Sequence, residues 1–342
     1  MQAKAVGLYA GHEISDPKAL EDVTLTVTQP TGRDVLVAVQ AVSVNPIDTK
    51  QRQVQPATTM PRVLGFDAVG RVIAVGSEVT SVMTDDIIYY AGAVDRPGSN
   101  AQYQLVDERL VALAPKSWDM TAAAGLPLTG LTAWEALFEK LAWQPAKNAN
   151  VGHSVLIING AGGVGSVAIQ LAKWAGLTVI TTAGQPKTTA WVKALGADIV
   201  LDYHDDLAAQ LATHQVKVVD SAILLQSTDQ YLPIVAPLMR PLSTMVAVVT
   251  NAKPLPMALL KPKSLNFAWE FMFTKANYHL PELATQGMML AKMAQLADAG
   301  ILQPTTKKVI KGINAKTLTE AHQIVETGQM LGKLVLTAPF NG

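Results

Sequence analysis

The sequence predicts an α/β protein in two parts, a β-rich unit at the N-terminal end and a doubly wound parallel-sheet domain after it. Three observations carry this expectation. The chain has 342 residues, more than one ordinary core accommodates. Up to about Ala114 it reads as short β-type runs broken by turn residues, and from about Leu126 apolar strands alternate with helical patterns.

In chain order, Met1 to Tyr9 alternates like a strand. Further runs at Val35 to Val44, Val69 to Val75, Ile87 to Tyr90 and Gln102 to Val106 complete a compact all-β unit. The second part opens with a strand at Val155 to Asn159, a helix at Val164 to Ala175 and a strand at Thr178 to Ala183. Val164, Val167, Ala168, Leu171, Ala172 and Ala175 step by three and four, which gives that helix one apolar face to lay on a sheet. Thr188 to Leu195, Ile199 to Leu201, Val218 to Ile223 and Met245 to Thr250 continue the alternation, as expected of βαβ units around a buried parallel sheet. Leu265, Phe267, Trp269, Phe271 and Phe273 recur at every second residue, so they line one face of a strand, either as core or as an exposed edge. Helices at Met288 to Ala299 and Ala315 to Glu326 and an apolar run at Leu334 to Leu336 close the chain.

Composition narrows the function. Lys+Arg and Asp+Glu both number 27, so the net charge is zero, and no basic run offers a nucleic-acid footprint. The N-terminal residues lack the pattern of a signal peptide and no stretch is long enough to span a bilayer, so no membrane partner and a cytoplasmic location are expected. Cysteine is absent, which removes disulfides, thiolate nucleophiles and every sulfur-based zinc site.

Gly160-Ala161-Gly162-Gly163-Val164-Gly165 follows a strand directly and opens a helix. In that context the first glycine allows a tight turn, the second lets the backbone approach a pyrophosphate, and the third allows close helix–strand packing; the helix N-terminus then offers amides and a positive dipole to the phosphates. This is the Rossmann pattern, and Gly160, Gly162, Gly163, Val164 and Gly165 are its candidate cofactor contacts. The end of the second strand reads Thr181-Thr182-Ala183-Gly184-Gln185-Pro186-Lys187, without the acid that would bind an adenine-ribose 2′-hydroxyl and repel a 2′-phosphate. Thr182, Gly184 and Lys187 are the candidates there. Lys187 either meets a 2′-phosphate, which favours NADPH over NADH, or is a solvated lysine opening the next helix.

Several motifs now carry a resemblance. Val44-Asn45-Pro46-Ile47-Asp48, Leu64 to Gly76 (LGFDAVGRVIAVG), Pro97 to Tyr103 (PGSNAQY), Leu126 to Trp134 (LPLTGLTAW), the glycine turn, Trp269-Glu270-Phe271-Met272-Phe273-Thr274 and Gly332-Lys333-Leu334-Val335-Leu336 span nearly the whole length. Together they resemble the medium-chain dehydrogenase/reductase superfamily, in its zinc-free quinone-oxidoreductase-like branch, many members of which are labelled zinc-type alcohol dehydrogenase-like. The resemblance implies a GroES-like catalytic domain from residues 1–124 and 275–342, with a Rossmann NADP-binding domain at 125–274. It further implies that Thr129 lies near the nicotinamide and that Tyr203 approaches the 2′-phosphate. The family's usual serine and basic residue after the second strand are replaced here by Gly184 and Gln185.

Zinc relatives hold their metal through a cysteine where this chain has Asn45 and a histidine where it has Phe66, and neither replacement is a normal zinc ligand. The six histidines, His12, His153, His204, His214, His279 and His322, show no ligand spacing. No zinc is therefore expected. Hydride transfer without a Lewis acid suits acceptors that are already activated, namely quinones and α,β-unsaturated carbonyl compounds. Asn45 is the expected donor and Asp48 an orienting acceptor, on a loop that faces the cofactor in relatives, unless Asn-Pro-x-Asp is only a hydrogen-bonded turn. Lys50, where some relatives carry a tyrosine, is a candidate donor or proton source. The expected function is thus NADPH-dependent reduction of a small-molecule quinone or enone. The alternative is an NADPH-binding sensor or structural protein with little catalysis. A homodimer is expected, joined through the Leu265 to Phe273 strand.

Overall fold

The structure is a computed structural model that describes residues 1–341; Gly342, the last residue of the expected catalytic domain, lies outside them. The chain forms two compact units. One comprises Met1–Leu131, Phe273–Gly300 and Pro304–Gly342, the other Thr132–Met272 with Ile301–Gln303.

The strands of the first unit before the crossover are β1 (Gln2–Leu8), β2 (Glu21–Thr26), β3 (Asp34–Ser43), β4 (Arg62–Val63), β5 (Ala68–Val75), β6 (Ile87–Tyr90), β7 (Tyr103–Asp107) and β8 (Val111–Leu113). Three helices interrupt or follow them: α1 (Pro46–Gln53), α2 (Met120–Ala124) and α3 (Pro127–Trp134). The expectation of an all-β N-terminal part is corrected here. Asn45 precedes α1 with Pro46 at its first position and Asp48 in its first turn, which is a helix start rather than an isolated turn.

In the second unit, β9 (Ser154–Ile158), β10 (Thr178–Thr182), β11 (Ile199–Leu201), β12 (Val219–Leu224), β13 (Met239–Ala247) and β14 (Asn266–Trp269) alternate with α4 (Gly163–Trp174), α5 (Pro186–Ala194), α6 (Leu207–Thr213) and α7 (Thr228–Val235). All its strand pairs are parallel, in the order β11-β10-β9-β12-β13-β14. Numbered from β9, this is the 3-2-1-4-5-6 order of a Rossmann sheet, whose direction of winding reverses beside its first strand. The glycine turn leaves the C-terminal end of β9, where such sheets bind ligands. Val167, Ala168, Leu171 and Ala172 of α4 are buried as the periodicity predicts, but so are Ser166, Ile169 and Gln170, and Val164 is only half-buried. The expected long strand through Phe273 is shorter. Glu270 still donates its amide to Ala247 O at 2.9 Å, after which the chain leaves the sheet and Phe273 enters the first unit.

The first unit resumes with α8 (Thr274–Asn277), α9 (Ala284–Asp298), β15 (Thr306–Ile313), α10 (Ala315–Glu326) and β16 (Lys333–Phe340). Its main sheet runs β15-β16-β3-β5-β6-β8, with β7 also on β3, and a smaller sheet runs β2-β1-β4. Val35, Val37, Val39 and Val42 of β3 pack with Ile88, Tyr90, Leu334 and Leu336 in its core. The sequence thus places β16, from the far end of the chain, antiparallel against a strand of the N-terminal third. No helix among the described residues is long and apolar enough to cross a membrane.

Candidate active site

The glycine turn behaves differently at each glycine. A Cβ on Gly160 would stand 2.0 Å from Thr181 Oγ1, and one on Gly165 would stand 2.5 Å from Asn159 O, so the protein's own packing excludes side chains at both. At Gly162 the nearest atom would be 3.3 Å away, the side-chain amide of Asn159, and the backbone lies at an ordinary φ of −71°. Packing does not demand a glycine there. Its missing side chain instead leaves clear the first turn of α4, whose amides have no intrahelical acceptor and no side-chain cap. That arrangement fits a phosphate group, with Gly163, Val164 and Gly165 as the amide bearers.

Around the turn, Asn159 takes a left-handed φ of 66° and donates its amide to Thr182 Oγ1 at 2.8 Å. Thr182 is therefore a brace for the turn. A Cβ on Gly184 would come within 2.6 Å of the Tyr203 and His204 rings, which lean together with centroids 4.4 Å apart. Tyr203 is 44% exposed and Lys187 is exposed in the first turn of α5. One acid near this end escaped notice: Asp202 accepts from the His204 amide at 2.9 Å and from its Nδ1 at 2.7 Å, and those bonds hold its carboxyl below the usual range.

In the first unit the sequence candidates take other roles. Asp48 Oδ2 accepts the Asn45 amide at 2.8 Å and closes the start of α1, while Oδ1 accepts the Gly65 amide at 3.1 Å and ties α1 to the segment before β5. Gly65 is required there, with φ at 112° and Ser99 Oγ 2.5 Å from the position of a Cβ. Burial pushes the Asp48 carboxyl up to about 7, while the Asn45 amide and the Lys333 ammonium act against the shift. The Asn45 side chain is also committed. Its Nδ2 donates to Asp67 Oδ2 at 2.8 Å and, more weakly, to Ser43 O at 3.4 Å, and its Oδ1 accepts from the Lys333 ammonium. Asn45 thus donates within the protein, and Asp48 acts as an acceptor that orients backbone amides. Lys50 is exposed on α1 and is not brought to this cluster.

Two residues that sequence reasoning did not single out lie at the centre. Asp67, wholly buried, gives Oδ1 to the Leu128 amide at 2.7 Å and Oδ2 to Asn45 Nδ2 and to Lys333 Nζ at 3.0 Å. Burial pushes its carboxyl up, and the Lys333 ammonium, the Leu128 amide and the Asn45 amide pull it back. The signals were an acid inside the apolar run Leu64 to Val69 and a lysine opening the strand Leu334 to Leu336. The next residue after Leu128, Thr129, is buried and its hydroxyl donates back to Gly125 O and Leu126 O, just ahead of α3, both at 3.2 Å.

Zinc does not fit this donor set. The Phe66 ring packs edge-on against Phe273 with centroids 5.3 Å apart, Asn45 already bonds an ammonium, and among the described residues no group of three or more His, Cys, Asp or Glu gathers.

Sequence and structure matches agree with this architecture. Residues 31–116 match the alcohol dehydrogenase GroES-like domain, and residues 195–336 match the family described as zinc-binding dehydrogenase. A zinc-type alcohol dehydrogenase-like protein of Staphylococcus epidermidis is 41% identical over 333 residues, covering 97% of this chain and 99% of that one. An NADPH-dependent alkenal/one oxidoreductase of Arabidopsis thaliana is 40% identical over 179 residues, 49% of this chain and 45% of its own length. A crystal structure from Rhizobium etli described as a zinc-dependent alcohol dehydrogenase superposes with a TM-score of 0.95 at 39% identity, covering 100% of this chain and 99% of the other.

Proposed function

Because the chain belongs to the medium-chain dehydrogenase/reductase superfamily and is an oxidoreductase of that group, we propose that it reduces quinones or α,β-unsaturated carbonyl compounds with NADPH and without zinc. The observation that carries this reading is the open backbone at Gly162, ahead of the uncapped first turn of α4. The amides of Gly163, Val164 and Gly165 bind the diphosphate, and the dipole of α4 favours its charge. Gly160 and Thr182 hold the turn in shape. Gly184 lets Tyr203 lie against the strand end, where that ring and Lys187 receive the 2′-phosphate. When bound, the cofactor supplies a hydride. The first unit contributes Thr129 and the Asn45–Asp48 segment to substrate handling, with hydrogen bonds in place of a metal, which is why an activated acceptor is required. The relative named as an alkenal/one oxidoreductase supports both the cofactor and the substrate class. The same proposal includes a cytoplasmic location and a homodimer, the latter supported by the exposed Trp269 on the edge strand β14 and the exposed Phe271 just beyond it.

One observation favours a second reading, that of a nucleotide-binding protein with little catalysis: Asn45 and Asp48 are fully engaged and Lys50 stands apart. Stopped-flow oxidation of NADPH against a panel of quinones and alkenals separates the two. Turnover of at least one class is expected; tight NADPH binding with no turnover on any acceptor selects the second reading. The cofactor site is tested by Gly162→Ala, which is expected to keep stability within about 0.5 kcal/mol. It should weaken NADPH binding by about 1.5–3 kcal/mol, roughly 10- to 100-fold. Unchanged affinity would remove the phosphate from this turn.

A further inference from the structure

We propose that Asp67 and Lys333 are positioning residues, whose buried ion pair locks the Asn45 amide and the first turn of α3 into one arrangement. The inference rests on the reductase reading above. Three donors converge on Asp67: the Leu128 amide at 2.7 Å, Asn45 Nδ2 at 2.8 Å and Lys333 Nζ at 3.0 Å. Lys333 also donates to Asn45 Oδ1, so Asn45, Asp67 and Lys333 close a ring of hydrogen bonds. The ring fixes which way the Asn45 amide points. Flipped, it would set its carbonyl against a carboxylate and its NH₂ against an ammonium. Because Asn45 precedes α1 and Leu128 lies in the first turn of α3, neither helix start can shift without breaking a bond to the same carboxylate. The next residue in α3 is Thr129, so the geometry of that side chain is set from Asp67.

Stability alone does not account for the pair. Two charges with almost no exposure lose their hydration, and an apolar pair of similar volume fills such a space as stably or better. What apolar side chains cannot supply is the orientation of an amide and of a helix start.

The test is the double variant Asp67→Asn/Lys333→Met, which removes both charges together, with Asp67→Glu as a second variant that keeps the charge and moves the carboxylate. Hydrogen exchange is followed in peptides covering residues 44–48 and 126–131, with β9 and α4 as the internal reference. NADPH turnover is measured with an accepted quinone or alkenal. The double variant is expected to exchange roughly 10-fold faster in those two peptides only, as a local opening does. Its kcat is expected to fall by roughly 100-fold, with KM for the acceptor and affinity for NADPH little changed. Asp67→Glu should show the same split with the fold intact. Unchanged exchange, an unchanged kcat, or a loss confined to KM overturns the proposal. If the wild type turns over no acceptor, the reductase reading fails instead, and the exchange measurement alone decides whether the pair positions these segments.

Discussion

The two units bury an acid in opposite settings. In the first, Asp67 is surrounded by an ammonium and two amide donors, which oppose the upward push that burial gives its carboxyl. In the second, Glu270 at the end of β14 is wholly buried beside Glu135, and its nearest cation, Lys140 Nζ, is 4.0 Å away. Burial first, and then Glu135, push the Glu270 carboxyl up to about 10, so at neutral pH it keeps its proton. Glu135 belongs to a π-helical turn, Glu135–Lys140, that follows α3. The contrast teaches that a buried acid reveals little by itself: one is bonded through both oxygens and organises its neighbours, the other lacks such donors and is held neutral.

The largest effect should come from breaking the matched pair on one side. Lys333→Met leaves Asp67 buried without its cation and is expected to cost about 3–5 kcal/mol, measured by urea unfolding. A loss under about 1 kcal/mol would mean that Asp67 is neutral after all, as Glu270 is. Glu270→Gln sharpens the other side. A carboxyl raised from 4.5 to about 10 by folding contributes stability that is complete below pH 4.5 and is lost as pH rises toward 10. The variant should remove that slope and be more stable than the wild type at alkaline pH; parallel pH profiles for the two proteins would contradict the assignment.

His322 extends the comparison to a buried base. Burial, and secondarily the nearby Arg52, lower it from 6.5 to about 3, so the folded protein holds it neutral while the unfolded chain protonates it. Stability should therefore fall as pH drops from 6.5 toward 3, and His322→Leu should lack that part of the decline. The same acid slope in both proteins would show that His322 does not titrate. The smallest effect is expected at Lys50, exposed on α1: Lys50→Ala should change turnover by less than about twofold, within the range of an ordinary surface substitution. A larger loss in the NADPH assay would return Lys50 to the reaction.

These differences also explain what could be read without coordinates. The strand-turn-helix around Gly160 to Gly165 and helix α10 were legible because their signals are local: a strand, fixed glycines and an i, i+3, i+4 stripe within about twenty residues. Helix α1 was misread because Asn-Pro-x-Asp starts a helix as readily as it makes a turn. The strand expected through Phe273 ended early because alternation cannot show where a chain leaves its sheet, here after Glu270. Asp67 and Lys333 were illegible as a pair because each is explained only by a partner 266 residues away. Likewise the domain edges expected at 124/125 and 274/275 differ from the observed division, since Leu128 is held by Asp67 and Gln303 is bonded to Gln170.

That separation sets a schedule for making the protein. A ribosome adding ~5–20 residues per second exposes Asp67 and the edge of β3 roughly 13–53 s before Lys333 and β16 have been synthesised, given the 266 residues between the two members of the pair. During that interval Asp67 lacks its Lys333 partner, and the Ala41–Ser43 end of β3 lacks the strand that pairs with it.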